Sequence, residues 1–355
     1  MAAPFTLVIP AINERDGLSR ILPKLGSVAV IIVDDGSSDG TKELAGKFDN
    51  VSLLERGGKG GLVSACLYGM KKALETGAEY IAVMDGDGQH DPSYIDKMVR
   101  EAEAEGADLV LGSRYLGEKG SGWEGVSRSR RLISRIANYI FRLSFGSQLA
   151  DVTTGLRVYS RKAAEFLLAE PPTMGSYAGQ VEIVEKLRRA GMKIMEYPIV
   201  FRKRVNGESK LSAVDIINYY MFVLTKGDLW KYTVVGLSGA LVNELALWAL
   251  APLNPFVADL VAIELSITSN FLFNERWAFR GRVMEGETRT VGLRLVRHNL
   301  YSLVGLAINF LAFSVLTLAG MNPLLSNLFG IVAAFLFRYV RPWGPVWVEM
   351  GNSSS

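Results

Sequence analysis

Short apolar runs alternate with amphipathic stretches along the first two hundred residues. Five runs predict buried strands, at residues 5–9, 28–33, 51–54, 80–84 and 108–112. Apolar residues at helical spacing predict helices between and after them, at 14–25, 41–48, 62–76, 92–105, 163–168 and 181–190. A further edge strand is predicted over 195–201, since Pro198 cannot donate to a central ladder. Strands that alternate with helices predict a mostly parallel, doubly wound sheet.

The pattern changes after Lys231, where long uncharged runs begin. Four apolar segments are each close to the ~20 residues that a bilayer core requires, and they predict membrane spans at about 232–251, 255–274, 299–320 and 323–341. The turns at 251–254 and 320–323 carry no charge, whereas arginines occupy positions 276, 280, 282, 289, 294, 297, 338 and 341. The positive-inside rule therefore places the middle loop, both termini and the preceding soluble half on the cytoplasmic side.

Two further helices predict contact with a membrane surface. Residues 128–145 carry a basic stripe on an otherwise apolar helix, formed by Arg128, Arg131, Arg135 and Arg142. This combination favours a helix in the membrane interface over a core helix. Residues 213–230 mix aromatic and apolar positions with a few charges and predict a second interface helix. The lipid bilayer is thus an expected partner of both halves.

Composition adds limits to this picture. The 355 residues have room for about two domains, which we place at 1–212 and 231–347, followed by a tail over 348–355. The net charge of +3 gives no argument for nucleic-acid binding. Cys66 is the single cysteine, so no internal disulfide framework exists. The amino terminus has no basic segment before its short apolar run, and we expect no signal peptide.

The strand at 80–84 runs directly into Asp85-Gly-Asp87-Gly-Gln89. Open α/β sheets bind ligands at the carboxyl ends of their strands. In an extended segment the three polar side chains lie on one side. Their oxygens are the ligands that a hard divalent cation prefers. A surface turn is the other interpretation, because Asp-Gly is common turn chemistry.

Glycine-rich nucleotide motifs are absent. Gly57-Gly-Lys59-Gly-Gly61 lacks the P-loop spacing, and no G-x-G-x-x-G follows the first strand. Lys59 therefore has two interpretations, a ligand of a diphosphate or a solvated lysine in a loop.

The order of several motifs resembles the inverting family 2 glycosyltransferases of GT-A fold. The matching segments over about 5–212 are Pro10-x-x-Asn13-Glu14, Val33-Asp34-Asp35-Gly36-Ser37-x-Asp39-x-Thr41 and Asp85-x-Asp87-x-Gln89-His90. Gly112-Ser-Arg114-Tyr115 and Arg204-x-x-Gly207-Glu-Ser209-Lys210 are similar to those of the dolichol-phosphate mannose synthases. Residues 231–347 resemble the GtrA-like four-helix domain fused to some of these enzymes. The resemblance implies a Rossmann-like GT-A domain, interface helices and an all-α membrane domain.

The resemblance also implies roles for individual residues. The donor nucleotide would be held by Pro10, Asn13, Glu14, Asp34, Asp35 and Asp85, with Lys59 near the diphosphate. A divalent cation, Mg²⁺ or Mn²⁺, would be held by Asp85, Asp87 and Gln89. The lipid phosphate would be bound by Arg114, Arg130, Ser134, Arg204 and Lys210. The residues expected to carry catalysis are Asp87, Arg114, Arg130 and Arg204.

Two other polar residues receive more modest interpretations. Asp151 begins the segment Asp151-Val-Thr-Thr-Gly155 that matches the family. A phosphate acceptor is already ionised near neutral pH and needs no base, so a structural or metal-proximal role for Asp151 is the more economical hypothesis. His90 is interpreted as a turn residue or a neighbour of the ligands rather than as a base.

The resemblance implies transfer of mannose from GDP-mannose to a dolichyl or polyprenyl phosphate, with inversion. Transfer of glucose or an aminosugar from a UDP-sugar to the same lipid is the nearest alternative. A lipid-linked-sugar flippase with a degenerate sugar-binding domain is an alternative from another class. A processive polysaccharide synthase is disfavoured because no Gln-x-x-Arg-Trp occurs.

Overall fold

The computed structural model divides the chain into two compact units. One comprises residues 1–142 and 147–222, and the other comprises 143–146 and 223–355. The structure describes residues 5–56, 60–117, 120–175, 177–204, 212–250, 252, 255–278 and 291–340. The predicted ligands Lys59 and Lys210 lie outside these ranges, as do the arginines at 280, 282, 289 and 341.

A seven-stranded sheet forms the centre of the first unit. Its strands are β1 (Phe5–Ala11), β2 (Ala29–Asp34), β3 (Val51–Glu55), β4 (Tyr80–Val83), β5 (Leu109–Ser113), β7 (Arg157–Ser160) and β8 (Ile194–Pro198). The spatial order is β3-β2-β1-β4-β7-β5-β8. All neighbours pair in parallel except β7, which is antiparallel to both β4 and β5. The predicted mostly parallel sheet is therefore confirmed, with β8 at one edge.

Strand β7 has no counterpart among the predicted elements. It is four residues long and begins with Arg157, a residue that is rarely fully buried without partners. The structure supplies them: the Arg157 guanidinium donates to the carbonyls of Thr154, Gln180 and Val152 at 2.7–2.9 Å. A charged residue therefore lies at the centre of the sheet because backbone oxygens satisfy it.

Eight α-helices flank the sheets or extend from them in the described part of the first unit and its boundary. They are α1 (Arg15–Ile21), α2 (Thr41–Ala45), α3 (Leu62–Glu75), α4 (Ser93–Glu105), α5 (Arg128–Phe145), α6 (Arg161–Ala169), α7 (Tyr177–Arg189) and α8 (Ala213–Lys226). The predicted helix over 14–25 is shorter, because Pro23 begins a 3₁₀ turn at Leu22–Lys24. The predicted helix over 41–48 ends at Ala45 before Gly46. Helix α7 starts four residues before its predicted beginning.

The predicted edge strand over 195–201 consists of two strands. After β8 the chain continues into β9 (Val200–Arg202), which leaves the main sheet and pairs in parallel with β6 (Gly122–Glu124). Pro198 ends β8, so the ladder of the main sheet stops there. The glycine-rich segment before α5 therefore includes a short strand. This small sheet carries Trp123 and Phe201.

Apolar side chains on α5 and α8 remain exposed. On α5 they include Leu132, Ile133, Ile136 and Tyr139. On α8 they include Val214, Ile217 and Met221. Exposed apolar faces beside basic residues are typical of helices that lie in a membrane interface.

The second unit is helical in its described part. It contains α9 (Leu229–Leu250), α10 (Pro255–Phe273), a π-helical turn at Asn274–Ala278, α11 (Val291–Leu318) and α12 (Pro323–Val340). Within the described residues, two stretches are long and apolar enough to span a membrane, Trp230–Leu250 and Arg294–Leu318. Arg294 forms a 2.8 Å ion pair with Glu275 of the π-helical turn. The predicted helical domain with membrane helices is confirmed.

Candidate active site

Polar loops follow β1 and β2 at the carboxyl edge of the sheet. The Asn13 backbone N–H donates to the Ser37 hydroxyl, and the Asn13 amide oxygen accepts from the Ser38 N–H, both at 2.8 Å. Asp34 is buried and accepts N–H bonds from Gly36 and Ser37 of its own turn. These two predicted donor ligands therefore shape the loops in this structure.

A cavity of about 300 Å³, here called the donor cavity, lies beside these loops. The predicted donor ligands that line it are Pro10, Glu14, Asp35 and Asp85, and Asp87 and Arg204 line it as well. Asp35 is paired through both oxygens with Arg56 at 2.6 Å. Arg56 was not predicted as a site residue. Its position directly after β3 was the available signal, because polar residues at the ends of parallel strands converge on one edge of the sheet.

Asp85, Asp87 and Gln89 lie together at the end of β4. Burial, followed by the charges of Asp87 and Glu14, raises the pKa of Asp85 to about 7. The Asp87 carboxylate accepts the Gln89 N–H at 3.0 Å and pairs with Arg204 at 3.2 Å. The Gln89 amide nitrogen donates to the Arg202 carbonyl at 2.8 Å, which leaves the amide oxygen on the opposite side.

This donor set fits a hard divalent cation. Two carboxylates and one amide oxygen are the ligand types that Mg²⁺ and Mn²⁺ prefer. Burial and the charges of Asp87 and Glu14 together raise the pKa of Asp85, and a bound cation would offset the repulsion among these carboxylates. Among the described residues, no group of three His, Cys, Asp or Glu side chains has metal-ligand geometry. The predicted ligand set contains only two side chains of these types, Asp85 and Asp87, because its third oxygen belongs to the Gln89 amide.

Gly155 has no side chain and therefore leaves room for the Asp85 carboxylate. A Cβ built on Gly155 would overlap the Asp85 carboxylate. We expect Gly155→Ala to displace this carboxylate and to weaken binding of Mn²⁺ by about 10- to 100-fold, as is usual when the support of a ligand is disturbed. Electron paramagnetic resonance of Mn²⁺ with the full-length protein measures this affinity. Gly46→Ala is the control, since its Cβ would lie 3.7 Å from the Lys42 carbonyl, an ordinary contact. Unchanged Mn²⁺ affinity in Gly155→Ala would contradict the prediction.

Arg204 joins the carboxylates of the donor cavity. Its Nη2 lies 3.0 Å from Glu14 and 3.2 Å from Asp87. Although it was expected at the lipid phosphate, the structure places it between two strand ends on the donor side. A cation here offsets the negative charge of the carboxylates.

A second cavity of about 380 Å³, here called the acceptor cavity, lies between α5, α7 and α8. The predicted acceptor ligands Arg114, Arg130 and Ser134 line it, together with Thr153. Its aromatic lining is Trp123, Tyr177, Tyr219 and Tyr220. Cationic and hydroxyl groups beside apolar walls suit an anionic head attached to an apolar chain.

Arg114 and Arg130 differ in their surroundings. Arg114 forms two 2.6 Å bonds to Asp151 and lies over the Trp123 ring at 4.5 Å. Arg130 has no ion-pair partner within the described part of the chain, and its Nη2 lies 3.5 Å from the Gln89 amide oxygen. Arg130 is thus the acceptor-cavity arginine whose charge is least compensated.

Asp151 is fully buried and links the polar residues around Arg114 by hydrogen bonds. It accepts bonds from the Arg114 backbone and guanidinium, from Asn138 and from Thr153. Burial opposes its ionisation, but the charge and hydrogen bonds of Arg114 hold the pKa of Asp151 below its ordinary value. The geometry agrees with a structural role rather than with a base.

We expect Asp151→Asn to destabilise the protein by about 3–5 kcal/mol, because it leaves a buried arginine unpaired. The depressed pKa of Asp151 means that its contribution is present above the ordinary value of 3.8 and is lost as pH falls through the lower folded value. Thermal unfolding of wild type and variant at pH 7 measures the effect. Equal midpoints would contradict the assigned role.

His90 is buried and packs against Phe201 with ring centroids 4.9 Å apart. Burial and the charge of Arg114 lower the pKa of His90 to about 3. Neither ring nitrogen has a hydrogen-bond partner among the described residues. The neutral His90 imidazole therefore contributes to packing in this structure, which agrees with the interpretation that His90 is not a base.

A carboxylate-lined cavity at the strand ends of a doubly wound sheet, beside an arginine-lined one, is the arrangement expected of a glycosyltransferase of GT-A fold. Residues 6–168 match the model of glycosyl transferase family 2, and residues 231–341 match the GtrA/DPMS transmembrane domain. The chain belongs to the family 2 glycosyltransferases, in the dolichol-phosphate mannosyltransferase group that carries this membrane domain.

Two relatives and one solved structure illustrate the similarity. The chain is 32% identical to a dolichol-phosphate mannosyltransferase of Pyrococcus furiosus over 356 residues, 94% of this chain and 97% of that protein. It is 33% identical to the polyprenol monophosphomannose synthase of Mycolicibacterium smegmatis over 219 residues, 59% of this chain and 82% of that one. The crystal structure of S. aureus TarS 1–349 with UDP-GlcNAc aligns over 94% of this chain and 90% of that one, at 13% identity and TM-score 0.39.

Proposed function

We propose that the protein transfers mannose from GDP-mannose to a dolichyl or polyprenyl phosphate, with inversion at the anomeric carbon. The supporting observation is that the donor and acceptor cavities share lining residues, Tyr177 and Asp215. An in-line displacement requires the leaving group and the nucleophile on opposite sides of one carbon. Two adjoining cavities of opposite character offer that arrangement.

On the acceptor side, Arg130 binds the lipid phosphate and directs an oxygen towards the anomeric carbon. Arginine suits this role because it binds phosphate in a forked geometry and keeps its charge. Ser134 and Thr153 line the same cavity. The Thr153 hydroxyl donates to the Asp151 carboxylate at 3.1 Å, so the Ser134 hydroxyl is the one that donates to the phosphate in this proposal. The phosphate oxygen is already ionised near neutral pH, so the step needs no general base. The aromatic walls and the exposed apolar faces of α5 and α8 accommodate the lipid chain.

On the donor side, the leaving diphosphate lies at the end of β4. Asp85, Asp87 and Gln89 would hold Mg²⁺ or Mn²⁺, and the bound cation would supply charge neutralisation for the leaving group. Arg204, held by Glu14 and Asp87, adds a fixed cation beside the same site. The nucleotide occupies the part of the cavity near Pro10 and Asp35.

The arginines around the middle loop of the second unit support a cytoplasmic catalytic domain and cytoplasmic termini. GDP-mannose would then be taken from the cytoplasm, and the lipid from the membrane leaflet that faces it.

A donor-by-acceptor matrix with the purified full-length protein tests the proposal. GDP-mannose and UDP-glucose are each incubated with a short polyprenyl phosphate, with added Mg²⁺ or Mn²⁺ and with EDTA. We expect mannosyl phospholipid from GDP-mannose and loss of product in EDTA. Glucosyl product from UDP-glucose would replace the donor assignment. Binding of lipid-linked sugar without product from either donor would favour the flippase alternative.

A further inference from the structure

Tyr177 occupies the boundary between the donor and acceptor cavities. It is the first residue of α7 and directly precedes Ala178, which is fully buried and fixes the start of this helix in the core. Among the described lining residues, only Tyr177 and Asp215 face both cavities. Asp215 is engaged at the start of α8, where it accepts bonds from the Ser212 N–H and hydroxyl at 3.0 and 2.7 Å.

The Tyr177 side chain is 37% exposed, because it faces the open space of both cavities. Asp85 and Asp87 act on it electrostatically from the donor side, and Arg130 and Arg204 act as opposing cations. Partial burial, followed by the two acidic charges, raises the pKa of Tyr177. The phenol therefore stays protonated throughout the physiological range. Its hydroxyl has no hydrogen-bond partner in the described part of the chain, so no neighbouring residue assigns a role to the hydroxyl.

We propose that the Tyr177 ring is the wall against which the transferred mannose packs, and that it excludes water from the anomeric carbon until the lipid phosphate arrives. The proposal rests on the proposed function. In transfer, the bond from the anomeric carbon to the diphosphate oxygen breaks, GDP leaves with the electron pair, and a phosphate oxygen of the lipid forms the new bond. In the side reaction that the wall suppresses, water forms that bond and releases a proton to solvent.

This role requires the aromatic ring of Tyr177 and not its hydroxyl group. The apolar ring excludes water, whereas the hydroxyl contributes little. Phenylalanine should replace tyrosine without loss, and alanine should open one cavity to the other. A purely structural residue would lower hydrolysis and transfer together, so their ratio separates the two roles.

The test uses the full-length protein with GDP-mannose, in the presence and absence of a short polyprenyl phosphate, and counts free mannose and mannosyl lipid separately. We expect Tyr177→Ala to lower transfer by about 10- to 100-fold, the usual cost of misplacing a reacting group, and to raise the fraction of donor lost to water. Tyr177→Phe should keep both rates within about twofold of wild type. Tyr68→Ala is the matched control, because Tyr68 on α3 is as exposed as Tyr177 and lines neither cavity. It should leave both hydrolysis and transfer unchanged.

Three results would overturn the inference. A Tyr177→Ala enzyme with the wild-type ratio of hydrolysis to transfer would show that the ring excludes no water. A Tyr177→Phe enzyme as impaired as Tyr177→Ala would assign the function to the hydroxyl. A fall in both rates with a lowered unfolding temperature would assign Tyr177 a structural role. If wild type transferred another sugar, only the donor assignment would fail, and the same ratio would test Tyr177 with that sugar.

Discussion

Replacing Asp87 by alanine is expected to lower mannosyl transfer by about 10²- to 10³-fold, the usual effect of removing a group that stabilises a developing charge. Asp87 is central to the donor site because its carboxylate has two neighbours. One oxygen accepts the Gln89 N–H, and the other pairs with Arg204. The substitution therefore removes a proposed cation ligand and also releases the arginine beside it.

The measurement is the initial rate with saturating GDP-mannose across a Mn²⁺ titration. We expect a lower maximal rate and a higher Mn²⁺ requirement for Asp87→Ala. Asp96→Ala is the matched control, because it removes the same type of side chain from the exposed face of α4, where Asp96 pairs with Arg100. It should retain the wild-type rate, since exposed pairs contribute little. Wild-type transfer by Asp87→Ala would refute the assignment of the metal site.

Replacing Arg130 by alanine should act on the other substrate. A charge-assisted hydrogen bond contributes about 1.5–3 kcal/mol, and its loss corresponds to a KM for polyprenyl phosphate that is roughly 10- to 100-fold higher. The KM for GDP-mannose should change little, because Arg130 lines the acceptor cavity and not the donor cavity.

Arg130→Lys and Arg128→Ala complete this experiment. Lysine retains the charge without the forked geometry and should recover part of the lipid affinity. Arg128 is an exposed arginine on the same helix, outside the lining of the acceptor cavity, so Arg128→Ala controls for general attraction to an anionic membrane. A rise in the KM for GDP-mannose alone would place Arg130 at the diphosphate instead. Equal effects of both alanine variants would reduce its role to membrane attraction.

The sheet was predictable because its parallel strands are continuous apolar runs. Strand β7 was not, since its burial depends on three carbonyls that meet Arg157 only in the folded chain. The division into β8 and β9 was not predictable either. Pro198 indicated an edge strand, but nothing in the local sequence indicated that β9 pairs in a second sheet.

Within the site, local motifs identified the groups but not their partners. The positions of Asp85, Asp87 and Gln89 follow from the end of one strand. The pairing of Arg114 with Asp151 joins residues separated by 37 positions, and no periodicity indicates it. Tyr177 was missed because it stands at a helix start without a charged neighbour in the sequence. Lys59 and Lys210 remain predictions, since they lie outside the described residues.

The two cavities are built from different parts of the chain. The donor cavity is formed mainly by residues between Pro10 and Asp87, and the acceptor cavity by residues between Arg114 and Tyr220. Under the proposed function, sugar-nucleotide choice and lipid choice are therefore expected to rest on largely separate segments of the chain. We expect a chimera that takes its first ninety residues from a relative using another sugar nucleotide to change the donor and to keep the lipid acceptor.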